Sequence, residues 1–170
     1  MLVPGIALLL NPYYPVLVIA GESSVGTWLS GAMLVMAATL SLVLAIQKRW
    51  SPWVPMSVFF FLLALDERFM FHESIGERLL FAFPESAWLS QVPVMAAGLA
   101  GLWIILFLWR KFLPVNRIFL ILALALGGLS VVYDLLEAGV LIEEILKLTA
   151  ELCMVLALTG EIETLEEKKR

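Results

Sequence analysis

Cysteine, histidine and charge are all scarce in this chain of 170 residues. The one cysteine, Cys153, has no partner for an internal disulfide, so no disulfide framework is available. The one histidine, His72, excludes a metal centre built from several imidazoles. Charged residues make up 15% of the chain, no basic stripe runs through it and the formal net charge is −4, which argues against a nucleic-acid partner. No basic stretch precedes the apolar N-terminal run, so a cleaved secretory signal is not expected.

Apolar side chains are what the chain has in abundance. Hydrophobic residues reach 62%, with six Trp and ten Phe, and the mean hydropathy is +0.97. Soluble domains sit nearer about 45–50% apolar. A soluble domain of this size has too little interior to hide the difference. Lipid is therefore the expected solvent, and the expected fold is an all-α polytopic bundle.

About 20 apolar residues are needed to cross roughly 30 Å of hydrocarbon as a helix. Five stretches read as spans: Val25–Ile46; Pro52–Leu65, which runs straight into Asp66, Glu67 and Arg68 and so must carry charge into the membrane or its edge; Ala87–Trp109; Ile118–Tyr133; and Ala138–Gly160, which contains Glu143, Glu144, Lys147 and Glu151. Leu2–Ala20 is apolar too, but it contains Pro4, Asn11, Pro12 and Pro15. Proline removes a helix hydrogen bond, which lipid cannot replace. That stretch reads as a broken, re-entrant or interfacial segment, with a sixth span as the alternative. The whole chain, residues 1–170, reads as one integral membrane domain, with 161–170 as a frayed charged tail.

Alternating five spans puts Lys48, Arg49, Arg110, Lys111, Arg117, Lys168, Lys169 and Arg170 on one side. The positive-inside rule then places the C-terminus in the cytoplasm, in what reads as a prokaryotic cytoplasmic membrane. Gly98, Gly101, Gly127, Gly128 and Ser130 are small enough to let helices approach. Such faces suit internal packing and contacts within a homo-oligomer or larger membrane complex equally well. Trp50, Trp53, Trp88, Trp103 and Trp109 read as interface anchors. Pro93 reads as a kink in the third span, and Cys153 and the methionines as packing residues.

A charge at the centre of a span costs roughly 2.5–3.5 kcal/mol or more, so its position is informative. From the cytoplasmic edge, Asp66 lies roughly 21 Å along its span, and Asp134 and Glu144 each roughly 24 Å along theirs. Carboxylates from three helices thus stand at one level in the outer leaflet. Asp66 and Glu73, seven residues apart, would share a helix face. Glu137, Glu144 and Glu151 repeat the same spacing, with a break at Gly139 as the alternative that would put Glu137 and Glu144 on facing helices.

So many like charges need compensation by protons, by Arg68, Arg78 or Lys147, or by a bound cation. Oxygen and nitrogen ligands of this mixture suit Fe, Mn or Zn. The expectation is an outer-leaflet pocket in which Asp66, Glu73, Glu137 and Glu144 offer oxygens to a divalent metal and His72 offers nitrogen. Glu67 would either support the metal's ligands or act as a base activating a metal-bound water, for chemistry on a lipid-like substrate. Asp134, Glu143, Lys147, Glu151 and Arg68 would support it. The pocket is a constellation and matches no motif: there is no Glu-x-x-His pair, and Gly76 stands where a zincin's second histidine belongs. Two other readings compete. One is a non-enzymatic subunit or scaffold with a structural acidic network, and the other a proton or cation transporter.

The strings LALDERFMFHE (residues 63–73) and IEEILKL (residues 142–148) resemble motifs of small prokaryotic multi-span membrane proteins of unassigned activity. That resemblance implies attention to Asp66, Glu67, His72, Glu73, Glu143 and Glu144. Alkaline ceramidase-like hydrolases also bury acids and histidines around zinc, but this chain lacks their several histidines.

Overall fold

The computed structural model describes residues 25–48, 52–136 and 139–167. The readings of Leu2–Ala20, Trp50 and Glu137 therefore lie outside the described residues. Among the described residues six α-helices run in chain order: α1 Val25–Gln47, α2 Trp53–Phe69, α3 Phe71–Ala82, α4 Val92–Leu108, α5 Asn116–Leu135 and α6 Val140–Glu167. Short 3-10 turns, Ala87–Gln91 and Trp109–Lys111, extend α4 at either end. The described residues form no strand.

Among the described residues three helical stretches are long and apolar enough to cross a membrane: Val25–Gln47, Trp88–Lys111 and Asn116–Leu135. The predicted first, third and fourth spans coincide with them. α2 and α6 occupy the predicted second and fifth spans, and both carry charge. α1 packs against α2 and α6, and α5 lies along α6, giving the lateral order α2–α1–α6–α5. α4 makes lighter contacts with α2, α3 and α5 and leaves Leu99, Trp103 and Phe107 exposed. Gly101 lets it pack close against α2, since a Cβ there would stand 2.8 Å from the ring of Phe59.

Three local expectations are corrected. The helix carrying Asp66 does not continue to Glu73, because Met70 turns into the left-handed region at φ 51° and ends α2. The two carboxylates therefore do not share one helix face. Pro93 does not kink a span; it stands in the first turn of α4, where its missing N–H leaves no helix bond unmade. Trp53 is not an interface anchor. It is 1% exposed, with its ring 4.8 Å from that of Phe112 in a mutually tilted contact.

The core is an apolar seam that includes Leu34, Leu44, Met56, Leu108, Leu120 and Leu158, drawn from five helices. Free Cys153 is buried beside it, as a packing residue would be. Polar groups break the seam at its two ends, and these positions carry the functional argument.

Candidate functional site

At the Val25 end of the bundle, one lysine serves two carboxylates. Residues three apart on a helix stand on one face, and Lys147 Nζ donates to Glu144 Oε1 at 2.8 Å. The same ammonium donates to Glu67 Oε1 at 2.9 Å, reaching from α6 to the end of α2. One turn deeper on α6, Glu151 Oε1 accepts from the Ser30 hydroxyl of α1 at 2.6 Å. Three helices are joined by these contacts. Glu144 is 7% exposed, and among the described residues its Oε2 and that of Glu151 accept no hydrogen bond.

A second pairing follows from the break at Met70. Helix α3 begins with open backbone N–H groups, and Asp66 supplies the acceptor from the preceding helix: its Oδ1 takes the His72 backbone N–H at 2.8 Å. Its Oδ2 lies 2.7 Å from His72 Nδ1. A carboxylate can only accept, so Nδ1 donates in this contact. Glu73 Oε1 is 3.9 Å from Nε2 and is largely exposed.

The expected single pocket thus resolves into two sets. Asp66 and His72 pair, with Glu73 at their edge, whereas Glu144 belongs with Glu67, Lys147 and Glu151. Among the described residues no group of three or more His, Cys, Asp and Glu side chains is arranged to hold a metal ion. Glu67, expected to activate water, instead accepts from Lys147. Asp134 and Glu143 stand half-buried at the two ends of the α5–α6 junction, where Gly139 has φ 141°. Arg68 points away from Asp66, with its guanidinium 4.7 Å from the centre of the Trp28 ring.

The opposite end holds a polar centre that the sequence reading missed. Residues after Gly160 were expected to fray, yet α6 continues to Glu167 and Glu161 is 2% exposed. Glu161 Oε1 accepts the Leu113 backbone N–H and, at 3.0 Å, the Asn116 side-chain amide, while Lys48 Nζ lies 3.4 Å from Oε2. Lys48 also stands 4.8 Å from the centre of the Trp53 ring. Gly160 makes room, since a Cβ there would meet Asn116 Oδ1 at 2.5 Å. The available signal was spacing: Glu161 follows Lys147 by fourteen residues, about four helical turns, and so returns near the same face.

Residues 5–160 match the family model described as a domain of unknown function, DUF8692, and the chain belongs to that family. No curated protein and no solved structure matches the chain significantly.

Proposed function

From membership of a family without an assigned activity, we propose that this chain is a non-enzymatic membrane scaffold or subunit whose interior charges join its helices. The observation that carries the reading is Lys147 Nζ lying between Glu67 and Glu144. The cation that the acidic residues call for is supplied by the protein's own side chain. Asp66 is likewise engaged in capping α3 and orienting His72. Membrane lipid cannot tell one apolar helix from another, whereas a carboxylate–ammonium contact specifies which helices are neighbours.

In this reading α2 and α6 cross with the three apolar helices, making five spans in a prokaryotic cytoplasmic membrane. Lys48 and Arg117 gather at the Glu161 end with Arg110 and Lys111 nearby, so that end and the C-terminus face the cytoplasm. The Lys147 network then lies toward the extracytoplasmic side.

Metal analysis of detergent-purified full-length protein, with Asp66→Asn and Glu144→Gln beside it, tests the proposal. The expected result is no stoichiometric Fe, Mn or Zn in any of the three, with Glu144→Gln folded but less stable. About one transition metal per chain, lost in both variants, would overturn the scaffold in favour of a metal pocket. Ion flux in proteoliposomes that disappears in Glu144→Gln would overturn it in favour of transport.

A further inference from the structure

The first turn of α1 and the last turn of α2 enclose a pocket of about 140 Å³ lined by Thr27, Trp28, Gly31 and Arg68. It lies apart from the contacts of Lys147 and His72. Arg68 is exposed, rests on the Trp28 ring, and among the described residues pairs with no carboxylate. Its guanidinium carbon stands 4.7 Å from the centre of the indole ring, and a guanidinium beside an aromatic face still offers N–H donors in the fork that suits the oxygens of a phosphate. Gly31 leaves the floor open: nothing lies within 4 Å of where its Cβ would be. Thr27 completes the lining.

The surroundings select the kind of phosphate. Trp28 and Leu29 are both exposed large apolar residues beside the pocket, at the end of a helix apolar enough to cross a membrane. A ligand with a phosphate at one end and acyl chains at the other would satisfy both, with the chains running down α1 toward Val35 and Met36, which are also exposed. We infer that this pocket binds the phosphate headgroup of a membrane phospholipid, with Arg68 as its anion contact.

Binding of short-chain phosphatidylglycerol, matched diacylglycerol and inorganic phosphate to the full chain in detergent, followed by native mass spectrometry, tests the inference. Phosphatidylglycerol is expected to bind at least tenfold more tightly than either other probe. Arg68→Gln should weaken it at least fivefold. Gly31→Leu should do the same by filling the pocket while leaving Arg68 in place, and leucine's higher helix propensity keeps α1 intact. Arg78→Gln, an exposed arginine outside the pocket, should leave binding unchanged. Equal affinity for inorganic phosphate would overturn the lipid assignment in favour of a free anion. Lipid binding that is insensitive to Gly31→Leu and Arg68→Gln, or equally sensitive to Arg78→Gln, would overturn the site itself. None of these readouts depends on the presence or absence of a metal.

Discussion

Removing the ammonium of Lys147 is the sharpest perturbation available, because two carboxylates depend on it. Lys147→Met keeps much of the apolar stem and deletes the charge. The three side chains are 24%, 18% and 9% exposed for Lys147, Glu67 and Glu144, so the site is mostly but not wholly screened from solvent. Breaking a fully buried pair costs about 3–5 kcal/mol, and this partial exposure argues for the lower end, about 3 kcal/mol. At roughly 2–4 °C per kcal/mol for a chain of this size, the fall in Tm is on the order of 6–12 °C. Most of that cost comes from leaving Glu67 and Glu144 buried without a cation. Neutralising them as well should therefore return stability: Lys147→Met with Glu67→Gln and Glu144→Gln is expected to recover about half the loss, although three residues are changed rather than one. Thermal unfolding in a mild detergent, followed by circular dichroism, reads both. A triple variant less stable than Lys147→Met alone would refute the compensation argument.

Two other predictions concern the remaining junctions. At Met70, held at φ 51°, glycine should be tolerated or stabilising by up to about 1 kcal/mol, while β-branched valine should destabilise by more than that, both measured by the same unfolding assay. At the other end, Gly160→Ala should lower Tm by several degrees because its Cβ would meet Asn116 Oδ1 at 2.5 Å. Pairing it with Asn116→Gly should remove that clash and recover part of the loss.

The helices were legible because a long uncharged apolar run has few alternatives in lipid. α1, α4 and α5 lie where hydropathy alone placed them. The pairing of Glu144 with Lys147 was legible from their i,i+3 spacing, whereas equal depth singled out Asp66, Asp134 and Glu144 and did not mark Glu67 as the third member. What periodicity could not carry was the break at Met70. Methionine is an ordinary helix former, so nothing local announces a left-handed turn there; the backbone adopts it where Asp66 caps α3. That one turn separated Glu73 from Asp66 and divided the expected pocket. Trp53 and Glu161 were misplaced for a related reason. Both stand near span ends, where tryptophan and charge usually meet headgroups, and only the packing of Phe112, Lys48 and Asn116 around them makes the position interior.

The two polar ends act on the same pair of helices. Ser30 meets Glu151 near one end of α1, and Lys48 meets Glu161 just beyond the other. Between them the seam is largely apolar, with Leu34, Leu44 and Leu158 buried in it and the small Ser41 as a buried polar exception. An apolar seam in lipid gains little from the hydrophobic effect, and sliding one helix by a turn would exchange one set of apolar contacts for another. Such a slide would separate both polar pairs, leaving Glu151 without the Ser30 hydroxyl and Glu161 without its cation, at a cost of several kcal/mol. The carboxylates of α6 therefore set the register of α1 against α6 from both ends, and Lys147 extends the same constraint to α2. On that argument the acidic residues are retained in the bundle because they make one arrangement of otherwise interchangeable apolar helices much lower in free energy than its neighbours.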